Sequence, residues 1–365
     1  MSFMARAIEL GYQVLGTTSP NPAVGAVIER DGRILGEGRT EPPGGPHAEV
    51  VALRQAAAVA RGATLWCTLE PCSHFGRTPP CTDAIIAAGI AEVHFAVADP
   101  DLRVSGPGRA ALEAASVRVL AGEEESAARR LHEGYLHQRK TGRPLVLAKF
   151  AASLDGKIAA TSGDSRWVSG PETLAWAHRM RPHLDAIIVG SDTVIIDNPR
   201  LTARPEGRTE GVHQPLRVVL DSRGRTPAEA EVLSSDAPTL IATTERSSVE
   251  WREAMTERGV EVLLLPEAQG HVDLYAVVQA LADRGALQVL VEGGGVLLGS
   301  FFDAGLIDKV HAVIAPMIIG GASAPAAVAG QGAARMADAL RLTQVEVERL
   351  GQDILVTGYV PRGER

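Results

Sequence analysis

Four residues, His47, Glu49, Cys72 and Cys81, constrain the fold of this chain more than any others. An imidazole and two thiolates suit a zinc ion and leave its fourth position open for water, whose pKa the metal lowers towards neutrality. The run His47-Ala48-Glu49 must therefore meet both cysteines, which flank Ser73-His74-Phe75-Gly76-Arg77-Thr78-Pro79-Pro80. Local patterns place His47 and Glu49 at the start of one helix and Cys81 at the start of another. Helix N-termini favour negative charge, which helps keep thiols ionised. Glu49 is then free to relay protons without being a ligand. A closed structural site with Cys67 or His74 as fourth ligand is the alternative. Against it, Cys67 falls in an apolar strand pattern, where a free cysteine behaves as a small hydrophobe.

At 365 residues the chain has room for two domains of ordinary size, each with its own core. A formal charge of -8 argues against a broad electrostatic footprint for nucleic acid, but it allows a small anion held by a few arginines. Residues 1–14 include Arg6 and Glu9 and lack a continuous apolar run, so no signal peptide is expected there. The apolar stretch 310–330 is interrupted by His311, Pro316, Gly320, Gly321 and Pro325, so a membrane span is not expected either. Three cysteines make a poor disulfide framework, and the expected location is cytoplasmic.

Strand and helix signals alternate along both halves. The first half reads as strands at 23–29, Thr64–Leu69 and 92–98, with helices at 47–60, Cys81–Ala88, 108–115 and 123–139. This pattern implies α/β layers on a mixed sheet. The turn-rich Lys140-Thr141-Gly142-Arg143-Pro144 marks a boundary, giving expected domains 1–142 and 143–365. Strands then follow at 145–150, 186–189, 216–221, 239–242, 260–264 and 288–292. A final pair is expected at 309–314 and 352–360.

Zinc ligands beside a non-ligand glutamate are the division of labour of zinc-dependent nucleobase deaminases. Eight residues separate Cys72 from Cys81, where many deaminases have two. The long run Pro71-Cys72-Ser73-His74-Phe75-Gly76-Arg77-Thr78-Pro79-Pro80-Cys81 resembles the deaminase domain of the bifunctional riboflavin-biosynthesis deaminase/reductases. Thr18-Ser19-Pro20-Asn21-Pro22, Val24-Gly25-Ala26-Val27 and Gly62-Ala63-Thr64-Leu65 running into Thr68-Leu69-Glu70-Pro71 resemble it too. The resemblance implies a cytidine-deaminase-like α/β/α fold and one zinc ion on His47, Cys72 and Cys81. It implies Glu49 as proton shuttle and pyrimidine contacts from Asn21, His74 and Arg77. Asn21 reads equally well as a turn residue between prolines, whereas Arg77 offers the forked cation a phosphorylated substrate needs.

In the second half, Leu290-Val291-Glu292 runs into Gly293-Gly294-Gly295 and then a helix, exposing backbone N–H groups to an anion. The order is not the Rossmann fingerprint, and a tight strand-to-helix turn explains it equally well. Lys149 lies in an apolar strand pattern, which is costly unless its ammonium faces a cleft or a carboxylate; Asp197 is a candidate partner. The stretches 152–157, Ser165-Arg166-Trp167, Arg181, Val189-Gly190, Thr193-Val194 and 197–204 resemble the reductase domain of the same family. That resemblance implies a dihydrofolate-reductase-like α/β fold using NADPH. It places Ala152, Trp167, Thr193, Asp197, Ser222, Gly294, Gly295, Val296, Leu297, Leu298, Gly299 and Ser300 along the cofactor. Ser165, Arg181, Leu201, Arg204 and Glu292 would hold the substrate, with Arg181 and Arg204 clamping a phosphate by bidentate contacts. Solvated arginine and core tryptophan are the plain alternatives for Arg181, Arg204 and Trp167. Asn198 stands where many members carry a second aspartate, which leaves Asp197 as the carboxylate there.

The resemblance runs over residues 4–360 with both domains in the family's order. It implies hydrolytic deamination of 2,5-diamino-6-ribosylamino-4(3H)-pyrimidinone 5′-phosphate, followed by NADPH-dependent reduction of the ribosyl group, giving 5-amino-6-ribitylaminouracil 5′-phosphate. Lys149 and Asp197 are the candidate proton donors in that reduction. Phosphorylated pyrimidines are the expected partners and a homo-oligomer the expected assembly; nucleic acid and membranes are not expected. The rivals are a deaminase of another nucleobase fused to a non-catalytic domain, and a zinc-stabilised binding protein without turnover.

Overall fold

Glycines that admit backbone against backbone set the layering of the N-terminal unit. A computed structural model describes residues 2–76, 78–101 and 106–361, and divides the chain into units Met1–Arg143 and Pro144–Arg365. The first unit contains α1 (Phe3–Tyr12), β1 (Gly25–Arg30), β2 (Arg33–Arg39), α2 (Ala48–Ala56), β3 (Thr64–Leu69) and α3 (Cys81–Ala88). It continues through β4 (Glu92–Val97), α4 (Pro107–Ala114), β5 (Arg118–Ala121), α5 (Glu125–Leu131) and α6 (Glu133–Thr141). Its sheet runs β2-β1-β3-β4-β5, antiparallel across β2-β1-β3 and parallel across β3-β4-β5.

A Cβ on Gly25 would lie 1.9 Å from Ala7 O; on Gly36 and Gly38 it would lie 2.4 Å from Ala52 O and 2.0 Å from Ala48 O. Any side chain at these positions would strike the backbone of α1 or α2, so both helices rest directly on the sheet. Gly36 and Gly38 also weaken the strand signal of β2, which sequence patterning does not anticipate. The helix expected over 47–60 stops at Ala56 because Ala57 takes φ 48, and residues Ala57–Ala60 form a 3-10 turn. The one expected over 123–139 breaks into α5 and α6 at His132, whose ring is buried with Nε2 3.0 Å from Thr68 Oγ1.

The second unit begins with β6 (Leu145–Ser153), α7 (Pro171–Met180), β7 (Ala186–Gly190), α8 (Ser191–Asp197), β8 (Leu216–Leu220) and β9 (Thr239–Thr243). Next come α9 (Val249–Glu257), β10 (Glu261–Leu264), the small hairpin β11 (Glu267–Ala268) and β12 (His271–Val272), and α10 (Leu274–Asp283). It ends with β13 (Gln288–Val291), α11 (Gly295–Asp303), β14 (Lys309–Ala315), β15 (Thr343–Leu350) and β16 (Asp353–Tyr359). The large sheet runs β10-β9-β8-β7-β13-β6-β14-β16-β15; neighbours from β10 to β14 are parallel, and the last two strands are antiparallel.

Both faces of the parallel part are covered, as its apolar strands require. Val146, Ala148, Ile188, Val218 and Val291 pack into one core, while Leu145, Leu147, Ile187, Val189 and Leu290 alternate into the other. β15 is different. Its side chains are exposed up to Leu350, so no burial pattern marks it in the sequence. Among the described residues no helix is long and apolar enough to cross a membrane.

Candidate active sites

His47 occupies the N-cap position of α2, and Glu49 follows in the first turn. Cys72 leaves β3 on a loop that ends where Cys81 opens α3. His47 Nδ1 lies 3.5 Å from Cys72 Sγ and 3.3 Å from Cys81 Sγ, and the three donor atoms all fall within 4.8 Å of one another. Donors bound tetrahedrally at ordinary zinc distances are separated by about 3.6 Å. The donor set therefore fits zinc as it stands. The backbone N–H of Cys81 donates to Cys72 Sγ at 3.4 Å, so the start of α3 supports thiolate charge on the other cysteine. Hydrogen bonds from Cys81 and His47 hold the Cys72 thiol down at about 4, while the contact with Cys72, together with burial, pushes Cys81 up. The other face of the imidazole, Nε2, lies 3.3 Å from Thr78 Oγ1. That contact orients the ring so that Nδ1 faces the thiols.

Glu49 is 4% exposed, and burial pushes its carboxyl up with the neighbouring His47 opposing. A carboxyl poised closer to neutrality can both take and return a proton. Cys67 is not in the cluster; buried on β3, it donates to His94 O at 3.5 Å. His74 is not in it either, although its Nδ1 is buried with no hydrogen-bond partner among the described residues. Three donors, with no fourth among the described residues, match the open, catalytic type of site. Asn21 sits in the loop before β1, its backbone N–H on Thr18 O at 2.8 Å. Arg77 lies outside the described residues. Thr78 is the contributor that sequence reasoning does not single out, and its only signal is its place inside the metal loop.

In the second unit a cleft of about 1520 Å³ follows the carboxyl ends of β6, β7, β8 and β13, the edge where parallel α/β sheets bind ligands. Arg181 Nη2 donates to Glu292 Oε1 at 2.7 Å and Nη1 donates to Thr202 O at 3.0 Å. Although burial opposes it, Arg181 and Lys149 hold the Glu292 carboxyl below its usual range. Burial pushes the Lys149 ammonium down, with Glu292 opposing. The carboxylate that acts on Lys149 is therefore Glu292, whereas sequence reasoning pairs Lys149 with Asp197. Asp197 instead accepts from Ser165 Oγ at 3.2 Å. His178, also in the cleft wall, is taken down to about 4 by burial and by Arg181 and Arg204.

Gly293 has φ 114, and a Cβ on it would lie 2.6 Å from Thr193 Oγ1, which accepts from the Gly294 N–H at 3.2 Å. Backbone thus lines the cleft at the start of α11, a cradle suited to a pyrophosphate. Trp167, Leu201, Arg204 and Ser222 line the same cleft. Along 294–300, Gly294, Gly295, Val296, Leu297 and Ser300 reach it, but Leu298 and Gly299 do not. The helical period turns Leu298 into the core and lays Gly299 on Ala329, whose O would be 2.1 Å from a Cβ. Ala152 is likewise buried, and strand alternation puts Ala151 in the cleft wall in its place.

Comparison with known proteins places each unit. Residues 1–97 match the cytidine and deoxycytidylate deaminase zinc-binding region, and residues 144–356 match the RibD C-terminal domain. The chain is 40% identical over 363 residues to riboflavin biosynthesis protein RibD of Bacillus amyloliquefaciens, covering 99% of this chain and 96% of that one. This chain belongs to the RibD family. RibD of Escherichia coli K12 is 39% identical over 361 residues, covering 96% of this chain and 97% of its own. Acinetobacter baumannii RibD superposes with a TM-score of 0.87 at 38% identity, covering 99% of this chain and 98% of that chain. A Thermotoga maritima structure, described as a diaminohydroxyphosphoribosylaminopyrimidine deaminase/5-amino-6-(5-phosphoribosylamino)uracil reductase, gives 0.83 at 34% identity with 98% of both chains covered. The RibD architecture, a cytidine-deaminase-like α/β domain followed by a reductase domain, is the architecture of this chain.

Proposed function

We propose that this RibD-family chain deaminates 2,5-diamino-6-ribosylamino-4(3H)-pyrimidinone 5′-phosphate in its N-terminal unit and reduces the resulting ribosyl group to ribityl, with NADPH, in its C-terminal unit. The observation that carries the reading is the convergence of His47, Cys72 and Cys81 beside a buried glutamate that is not one of the donors. Zinc held there supplies a water of lowered pKa. Glu49 would carry one proton of that water to the ring nitrogen and then the proton of the added hydroxyl to the leaving amine, so that ammonia departs while the ring carbon keeps the oxygen. Asn21, His74 and Arg77 bind the pyrimidine and its phosphate.

The reductase cleft, with its backbone cradle at Gly293 and Gly294, would hold NADPH, which would supply the hydride for C1′ of the opened sugar. Lys149, its pKa pushed down by burial, is the proton donor favoured by its place beside Glu292; Asp197, oriented by Ser165, is the second candidate. Arg204 and Arg181 take the substrate phosphate, Arg181 through an Nε that is buried and has no partner among the described residues. Three free cysteines suit a reducing, cytoplasmic setting. The exposed edge strand β15, with Val345 and Val347 open, suits pairing with a second copy, which sedimentation would detect.

The test is a coupled assay that follows ammonia and NADPH together, in wild type and Glu49→Gln. The variant should lose ammonia release by about 10²–10⁴-fold, keep its zinc, and still reduce the deaminated product when that is supplied. Full ammonia release, or loss of the metal, would refute the role given to Glu49.

A further inference from the structure

Helix α7 carries Leu174, His178 and Arg181 into the wall of the reductase cleft, at the i, i+4 and i+7 positions of one face. Its own sequence supplies no cap. The N-cap residue is Gly170, which has no side chain to accept from the first turn, and Pro171 follows it. The missing acceptor comes from 183 residues further along the chain. We propose that Asp353, at the start of β16, is a positioning residue of the reductase reaction. It caps α7 from the β15–β16 hairpin and thereby sets where Arg181 and His178 stand in the cleft. The proposal rests on the reading that this cleft reduces the phosphorylated pyrimidine, with Arg181 on its phosphate.

One carboxylate oxygen bridges hairpin and helix. Asp353 Oδ2 accepts from the Gly170 N–H at 2.8 Å and from Thr173 Oγ1 at 2.6 Å. Both Asp353 and Thr173 are buried. A buried carboxylate pulled off these donors would be left unsatisfied, so hairpin and helix are held together. Its charge also sits at the end of α7 where the helix dipole favours an anion. The hairpin turn comes close as well: Gly351 has φ 63, and a Cβ on it would lie 2.5 Å from Glu172 Oε2, in the first turn of α7.

A second contact fixes the rotation of the helix. Trp176, three residues after Thr173, packs against the cluster of Val313, Leu350 and Leu355, and its ring meets His311 edge-on with centroids 5.5 Å apart. Leu350 ends β15 and Leu355 lies in β16, so the hairpin grips one face of α7 at Thr173 and Trp176. The face with Leu174, His178 and Arg181 is thereby turned to the cleft. Arg181 lies about 12 Å along the axis from Thr173, at about 1.5 Å per residue. There it meets Glu292 and Thr202 from other elements, so its guanidinium reaches them only while α7 keeps its setting on the sheet. Residues 165–169, which line the cleft, run straight into Gly170 and are held at the same point. A displacement of about 1 Å at such a site costs up to about 100-fold.

The experiment supplies the full-length protein with the deaminated substrate, follows NADPH oxidation, and measures melting and NADPH binding in parallel. Asp353→Ala should raise KM for the pyrimidine at least about tenfold, with kcat and NADPH affinity within about threefold, because the phosphate clamp moves while the backbone cradle after β13 does not. It should also melt at a lower temperature. Adding Gly170→Ser gives α7 a cap of its own. A Cβ on Gly170 has no closer neighbour than Glu172 Oε2 at 3.4 Å, so the double variant should regain melting temperature while its KM stays high. Asp353→Asn keeps an acceptor oxygen and should hold KM within about threefold of wild type. Wild-type KM in Asp353→Ala, or a KM that recovers together with the melting temperature on adding Gly170→Ser, overturns the proposal and leaves the reductase reading standing. Should Asp353→Ala not fold alone, the double variant is compared with Gly170→Ser, and equal KM overturns the proposal. A wild type that oxidises no NADPH with the deaminated substrate takes down both.

Discussion

Replacing Arg181 by methionine removes one guanidinium from the reductase core and leaves Glu292 buried. The pair is 2.7 Å long, and its side chains are only 13% and 10% exposed. Removing one partner of such a pair costs about 3–5 kcal/mol, because the other charge is left uncompensated. Lys149 remains beside Glu292 and shares that charge, which puts the expected loss at the lower end, about 3 kcal/mol. The carbonyl of Thr202 also loses its donor at 3.0 Å, adding about 1 kcal/mol. Urea unfolding of the full chain reads this through Trp167, Trp176 and Trp251, which all lie in the second unit. Arg181→Met with Glu292→Gln should be more stable than the sum of the two single losses predicts, since the loss of the Arg181–Glu292 pair is counted in both single variants. Arg181 and Lys149 hold Glu292 below its ordinary pKa, so the pair's contribution is complete above that value and fades as pH falls through the folded one. The gap between wild type and Arg181→Met should thus narrow in acid. A variant as stable as wild type, or a gap that widens in acid, refutes the argument.

Thr78→Val should weaken zinc binding about 10–100-fold by freeing His47 Nε2, read by competition with a chelator; unchanged affinity would mean the contact is idle. Burial takes His132 from 6.5 down to about 4, so the neutral ring stabilises the fold above pH 6.5 and that contribution is lost as pH falls towards 4. The loss is up to about 3 kcal/mol, and His132→Gln should flatten this slope in acid unfolding curves; an unchanged slope would assign it to other groups. Gly295→Ala would set a Cβ 2.1 Å from Ala326 O and should lower stability by about 1–3 kcal/mol. Gly294→Ala, whose nearest atom is Thr193 Oγ1 at 3.9 Å, should melt close to wild type, and equal melting of both variants would contradict the packing described.

The metal donors are legible in the sequence because thiol and imidazole chemistry belongs to residue type. The bounds of β3 and α3 are legible too, since an apolar run and a closing Gly89 in the left-handed region are local signals. β2 is hidden by Gly36 and Gly38, which look like strand breakers until α2 lies on them. β15 is hidden because neither of its faces is buried, and α5 parts from α6 at His132, whose ring reaches Thr68 across the unit.

The reductase cleft divides in the same way. Sequence alone marks Lys149 as anomalous in an apolar strand and the glycine run as a place for an anion. It cannot say that Glu292, far along the chain, supplies the neighbouring carboxylate, or that Asp197 turns to Ser165. Nor does it show that Arg217 is wholly buried, with Arg200 O, Ser234 O and Ala237 O as its acceptors. The amino-acid sequence by itself determined which chemistries this protein can host, because ligand type, proton affinity and helix-stop signals reside in single residues and short runs. Tertiary structure alone decided which charges meet and which are turned inward, because desolvation and pairing exist only once distant strands lie side by side.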